Sequence, residues 1–158
     1  MPDTDCVIAR ITQNLIDALD KRSITIGTEE LETCAEGQRS VYDSQGADVY
    51  TEVCGPWPET LEINGIEKHI SLHYVVECHI NGISDIAPND PITIQTKNAG
   101  ADLSKMIIAD LIRGGAALIT RIEGEPYYYF TGSAAAPQFV IRIDVNVETF
   151  LNIQDPFQ

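Results

Sequence analysis

Apolar and polar side chains alternate along the segment from Ile66 to Ile80, and this alternation restricts the fold more than any other feature of the chain. One parity is apolar apart from Lys68, and it contains Ile66, Ile70, Leu72, Tyr74, Val76, Cys78 and Ile80. The other parity is polar apart from Val75, and it contains Glu67, His69, Ser71, His73, Glu77 and His79. Because successive side chains of a strand point to opposite faces, the pattern predicts a long strand with one face on the core.

The dipeptide Asn64-Gly65 precedes this strand and is typical of a two-residue hairpin turn. Such a turn pairs Glu62 with Glu67 on the polar side of the hairpin. Two carboxylates that face each other are unfavourable in an isolated chain. We interpret the pair as an indication of an interface at which another chain supplies a basic group.

Two amphipathic helices and several further strands complete the expected fold. Apolar side chains recur at helical spacing from Asp5 to Lys21 and again from Gly100 to Arg113. Strands are predicted at "SITIG", "DVYTEVC", "ITIQT", "ALITRIE", "PYYYFTG" and "QFVIRIDVNVETFL". The order of helix, strands, helix and strands is typical of an α+β fold, with an antiparallel sheet that contains a long β-hairpin and is packed by two main helices.

The domain organisation is expected to be simple. A chain of 158 residues is long enough for one domain with a proper core, so residues 1–158 are predicted to fold as a single unit. Residues 28–48 are polar and are predicted to form an extended loop. Residues 150–158 are predicted to form an extended C-terminal tail.

The charge balance is strongly acidic, with 24 acidic against 10 basic residues and a net charge of −14. Such a surface repels phosphates and disfavours general nucleic-acid binding. No apolar run approaches the length of a membrane span, and the acidic start is unlike a secretory signal, so synthesis in the cytoplasm is expected. The four cysteines are isolated, which favours free buried thiols over a disulfide framework.

The histidines raise the question of a metal site. His69 and His73 stand about 13 Å apart along a strand, too far to share one ion. Glu77 and His79, about 7 Å apart on one face, could share an ion only if a neighbouring strand added ligands. Zinc sites normally show paired ligand spacings, so we expect neither a metal nor another cofactor.

Catalytic motifs do not emerge from the sequence either. Ser71 lies between two histidines but outside any Gly-x-Ser-x-Gly pattern, and the glycines lack the spacing of a phosphate loop. We therefore expect a protein that is not an enzyme. The alternative of a different class is a small cytosolic metal-dependent or ligand-binding enzyme that uses Glu77 and His79.

Three aromatic residues are candidates for contacts with a partner. Trp57 lies between two prolines, where it could cover an edge of the core or anchor another protein. In "PYYYF", alternation predicts that Tyr127 and Tyr129 share one face of a strand and contact another subunit.

Several features occur together along the whole chain. They are an amphipathic opening helix, a β-hairpin with a long second strand, a later helix before two glycines, and a long final strand that closes on Asp155, Pro156 and Phe157. This layout resembles the tail terminator (tail completion) proteins of long-tailed bacteriophages and related phage-like particles, whose last strand commonly runs into a short tail with an Asp-Pro-aromatic ending. The polar segment 28–48 and the histidine-rich strand depart from the family's pattern.

The resemblance implies a structural virion protein of the tail or neck, assembled in the host cytoplasm. Its subunits would form a homo-oligomeric ring of six that caps the tail tube, stops tube polymerisation and joins the tail to the head. The implied partners are the tail tube protein and a head-tail connector or adaptor protein, with no membrane. DNA would pass through an acidic ring without specific binding. Another neck ring protein, a head-tail adaptor or stopper, is the alternative.

The residues expected at a subunit or partner interface come from both lines of reasoning. They are Trp57, Glu62, Glu67, His69, His73, Glu77, His79, Tyr127, Tyr129, Asp155, Pro156 and Phe157.

Overall fold

The computed structural model describes residues 6–26, 29–35, 48–81, 92–133 and 136–158. In chain order its elements are α1 (Val7–Leu19), β1 (Ser23–Ile26), β2 (Glu29–Glu32), β3 (Asp48–Asn64), β4 (Glu67–Asn81), α2 (Ile92–Ile108), a 3₁₀ turn (Arg113–Gly115), β5 (Ile119–Ser133) and β6 (Ala136–Asn152). The expected α+β fold is confirmed, because two helices accompany a four-stranded antiparallel sheet and a separate β1–β2 pair.

The main sheet has the strand order β3-β4-β6-β5, and all neighbours are antiparallel. The β3–β4 and β5–β6 pairs are hairpins, while β4 and β6 pair at the centre from Glu67–Asn152 to Asn81–Gln138. The predicted core face of β4 is confirmed, since Ile70, Leu72, Tyr74, Val76, Cys78 and Ile80 are all buried. Ile66 belongs to the same predicted set but is exposed, because it lies in the hairpin turn.

The helices cover one face of this sheet. From α1, Val7, Ile11, Leu15 and Leu19 are buried at a spacing of four residues, and from α2, Ala99, Leu103 and Ile107 are buried. These side chains form one core cluster with the inward-facing residues of the sheet and with β1. Each large aliphatic side chain buried in this way stabilises the fold by about 1.5–3 kcal/mol.

The second helix lies earlier in the chain than the sequence predicts. It spans Ile92–Ile108 instead of residues 100–113, and "ITIQT" forms its beginning instead of a strand. β-branched residues favour strands only weakly, so packing against the core overrides that preference here. Leu111 lies beyond the helix and is exposed, whereas the buried Arg113 side chain donates hydrogen bonds to the carbonyls of Ile107 and Asp110.

The register of the β3–β4 hairpin differs from the expected one. Gly65 and Ile66 form the turn, and Glu62 pairs with His69 instead of Glu67. Gly65 has a φ of 65°, so a single left-handed glycine at the first turn position is sufficient and Asn64 stays in the strand. The expected Glu62–Glu67 pair was therefore wrong, and it no longer indicates an interface.

Residues 150–158 do not form the expected extended tail. β6 continues through Asn152, and Asp155 bridges back to Asn152. The following turns bring the Pro156 carbonyl to the backbone N–H of Val7, which donates to it at 3.1 Å, and α1 lacks a side-chain cap. The chain end therefore satisfies a backbone donor at the start of α1.

The polar segment 28–48 is only partly described. Its first part is not a loop, because Glu29–Glu32 forms β2 and pairs with Ser23–Ile26. Residues 36–47 lie outside the described residues. Each of the four cysteines lies outside any disulfide, as expected, but of these only Cys78 is buried. Among the helices of the described ranges, none is long and apolar enough to cross a membrane.

Candidate functional site

The second face of the main sheet carries most of the residues that the sequence singled out. The core cluster and both helices lie on the opposite face. Paired residues of neighbouring strands share a face, so the strand register brings together Trp57, Glu62, Glu67, His69, His73, Glu77, His79, Tyr127 and Tyr129. We call this surface the open face. Asp155, Pro156 and Phe157 lie apart from it, at the start of α1.

The open face is rich in carboxylates. Its acidic residues are Glu52, Glu59, Glu62, Glu67, Glu77, Glu123, Asp144 and Glu148. Its guanidinium groups contact two of these, Arg121 with Glu148 and Arg142 with Asp144. The remaining carboxylates give this side of the subunit a strongly negative character.

Each histidine of the open face contacts a carboxylate. His69 Nε2 lies 3.4 Å from Glu148 and His79 Nε2 lies 3.5 Å from Glu77. His73 lies between two acidic groups, with Nδ1 3.8 Å from Glu123 and Nε2 3.9 Å from Asp144. His73 therefore separates two acidic side chains that would otherwise repel each other.

Each of these rings also lies beside an aromatic ring. The ring centroids of Trp57 and His73 are 6.0 Å apart, those of His69 and Phe150 are 4.9 Å apart, and those of Tyr50 and His79 are 6.2 Å apart. Aromatic and imidazole rings that are held in this way form a relatively stiff surface, which lowers the entropy lost when a partner binds.

The turn end of the β3–β4 hairpin carries a continuous run of exposed residues. Every side chain from Trp57 to Glu67 is exposed, and we call this segment the hairpin arm. It presents Trp57, Leu61, Ile63 and Ile66 to solvent, with exposed fractions from 46% to 60%. Ile153, which is also exposed, donates its N–H to the Ile66 carbonyl and extends this apolar surface.

Sequence reasoning found Trp57 in the hairpin arm but missed the three aliphatic side chains. Alternation had assigned Ile66 to the core, and Leu61 and Ile63 resemble ordinary strand residues. The lengths of the elements carry a usable signal. A strand of 17 residues, such as β3, spans about 56 Å, whereas a helix of 13 residues, such as α1, covers about 20 Å.

A second cluster on the open face combines ligand types that metals bind. One ligand atom from each of Glu52, Glu77 and His79 can be chosen so that all lie within 4.8 Å of one another. Glu52 lies directly opposite Glu77 on the neighbouring strand β3. The sequence indicated that Glu77 and His79 would need a further ligand from a neighbouring strand. Glu52 is such a ligand, and it was not identified from the sequence.

The space between α1 and α2 forms a cleft of about 550 Å³ with mixed polar lining. Two of its carboxylates have structural roles. Asp102 accepts the N–H of Thr25 at 2.8 Å, and Asp110 accepts the N–H of Gly114 at 2.7 Å. These contacts connect α2 to β1 and to the following turn, so we assign the cleft to packing.

Comparisons with known proteins do not add a family. No protein-family model matches the chain, and no curated protein matches it significantly.

Proposed function

We propose that this protein is a structural subunit of a ring, specifically a tail terminator (tail completion) protein of a long-tailed bacteriophage or related particle. In this role a ring of six subunits caps the tail tube, stops its polymerisation and presents a surface for joining the head. The virion tail or neck is then its location. The resemblance in the layout of the sequence supports the choice of family, and the hairpin arm is the observation that carries the assembly role.

The hairpin arm supports assembly because it is costly for an isolated subunit. Leu61, Ile63 and Ile66 expose apolar surface at the turn end of the hairpin, and Trp57 adds an exposed indole farther from the turn. Burial of apolar surface contributes about 25 cal/mol per Å², and aromatic anchors dominate many interfaces. An arm that reaches a neighbouring subunit in a head-to-tail arrangement closes into a ring when the rotation permits.

The open face supports the same role through its charge. A negative surface that is repeated around a ring gives a channel or rim that repels DNA phosphates. DNA could then pass the ring without binding to it. The guanidinium groups of this face are already paired with Glu148 and Asp144, which leaves the negative character in place.

A capping assay tests the proposal. The purified chain is added to polymerising tail tube protein from the same phage, and tube length is measured by electron microscopy. We expect tubes of limited length with the protein at their ends, together with rings detected by light scattering. A monomer that leaves tube length unchanged would overturn the proposal. Rings that bind a head connector but never a tube would instead favour the adaptor or stopper.

Matched variants locate the interface. Leu61 and Leu111 are the same residue type and are 46% and 47% exposed, but Leu111 lies outside the hairpin arm. Leu61→Ser is expected to reduce assembly and capping by about fivefold or more, because the loss of about 1 kcal/mol of apolar contact changes an equilibrium about fivefold. Leu111→Ser is expected to assemble normally. Equal effects of the two substitutions would show that the arm is not the contact.

A further inference from the structure

We propose that Glu52, Glu77 and His79 form a binding site for one divalent transition-metal ion, for which Zn²⁺ is the suitable probe. This site is independent of the proposed ring. An imidazole nitrogen with two carboxylates is a ligand set that Zn²⁺ accepts in proteins, and a water molecule would complete four-coordination. The proposal concerns binding and assigns no reaction to the ion.

The three ligands converge from two strands. Glu77 and His79 lie two residues apart on β4 and share the open face, while Glu52 lies opposite Glu77 on β3. His79 Nε2 is 3.5 Å from the Glu77 carboxylate. Ligands at about 2.1 Å from a tetrahedral ion lie about 3.4 Å apart, so this pair already fits. The chosen atoms of all three residues lie within 4.8 Å of one another. Because the Glu52 side chain is exposed, it can move closer to the other two ligands.

The orientation of His79 is the second, independent observation. Its Nδ1 lies 3.2 Å from the side-chain oxygen of Gln138, and the Gln138 nitrogen donates to Asn81 at 3.1 Å. The amide orientation therefore presents an acceptor to Nδ1, so Nδ1 carries the hydrogen. Metal-binding histidines commonly donate their second N–H to a carbonyl oxygen in this way. Nε2 then faces the carboxylates and is the ring nitrogen that is available to a metal ion.

The charges around the site favour a cation. Glu52 and Glu77 are directly opposite each other, and like charges in that position destabilise a sheet. Arg142 lies opposite Glu77 on the other side, but its guanidinium contacts Asp144 at 3.2 Å. Tyr129 hydrogen-bonds to the Glu77 carboxylate, which helps to orient that ligand.

His73 provides a natural comparison on the same face. It also has two neighbouring carboxylates, but Glu123 approaches Nδ1 whereas Asp144 approaches Nε2. The two carboxylates therefore lie at different ring nitrogens and cannot join one nitrogen around a single ion. The geometry predicts binding at His79 and none at His73.

The experiment is calorimetric titration of the untagged, chelator-treated chain with ZnCl₂. We expect one Zn²⁺ per chain for the native protein. His79→Ala and Glu52→Gln should each weaken binding by at least about tenfold, and Gln138→Ala should weaken it by about tenfold through loss of orientation. His73→Ala and Glu123→Gln should bind as the native chain does.

Thermal unfolding provides a second readout and a folding control. Zn²⁺ should raise the unfolding temperature of the native chain and of the His73 variant, but not that of the His79 variant. Glu52→Gln changes an exposed side chain, so its loss of binding cannot be attributed to misfolding. Absence of saturable binding, or equal binding by the His79 and His73 variants, would overturn the site. Zn²⁺ held by the cysteine thiols would survive His79→Ala and would count against the site as well.

Discussion

Individual side chains on the core face of the sheet are buried strongly enough to change their chemistry. Cys78 is fully buried near the end of β4, and burial raises the pKa of its thiol from 9.0 to about 12. Tyr74 lies four residues earlier on the same face of β4, and its hydroxyl shares a 2.8 Å hydrogen bond with the hydroxyl of Thr12 in α1. Burial raises the pKa of Tyr74 from 10.0 to about 12. Both groups stay neutral in the folded chain at alkaline pH at which they would ionise in the unfolded chain.

Cys78 should therefore make the fold sensitive to alkali. Because the folded pKa is raised, the stabilisation is fully present below pH 9 and is lost as pH rises towards 12. Between about pH 8 and about pH 10, this one group should lower the free energy of unfolding by about 1 kcal/mol. Urea unfolding at both pH values is the measurement. Cys78→Ala is expected to lose less stability over this interval, and identical losses in the two proteins would contradict the assignment.

The turns that follow β6 have an unexpected role at the start of α1. α1 begins after Cys6 without a side-chain cap, and the last residues supply what the cap would provide. The Pro156 carbonyl accepts the Val7 N–H, and the Phe157 carbonyl accepts a hydrogen bond from Arg10 at 2.9 Å. The C-terminal turns are thus part of the domain's stability.

Removal of residues 155–158 is expected to lower the free energy of unfolding by about 1–2 kcal/mol, because a backbone donor of α1 loses its partner. Urea unfolding monitored by circular dichroism is the measurement. Phe157→Ala is the matched control, since it keeps both carbonyls and removes only an exposed ring, and it should change stability by less than about 0.5 kcal/mol. A truncated chain as stable as the full chain would show that the turns do not cap the helix.

The elements also show what could be inferred from the sequence. Period-two alternation was sufficient for β4, because a central strand with one face on the core must bury every second side chain. The pairing registers of the strands were harder to predict from the sequence. β3 contains bulges between Cys54 and Trp57 and between Thr60 and Glu62, and each inserts an extra residue whose position depends on tertiary contacts. The two extra residues offset the shift at the turn, so the expected turn at Asn64-Gly65, extended without bulges, also places Glu52 opposite Glu77. Glu52 was missed because the predicted strand ended at Cys54, before the prolines on either side of Trp57.

At the scale of the whole molecule, hydrophobic and charged surfaces are separated. The inner face of the sheet forms the core with the helices, the open face is acidic, and the hairpin arm exposes apolar side chains. A net charge of −14 opposes the approach of identical subunits, whereas the apolar arm favours it. The proposed assembly would then depend on the balance of these two effects.

This balance predicts that salt promotes ring formation. Raising the ionic strength from about 0.1 M to about 1 M shortens the screening length from about 10 Å to about 3 Å, which weakens repulsion between subunits and leaves apolar burial intact. Light scattering across this range should show a several-fold increase in the assembled fraction. Glu62→Gln removes one negative charge from the hairpin arm and should shift assembly to lower salt. Dissociation at high salt would instead indicate that ion pairs between chains, and not the apolar arm, hold the subunits together.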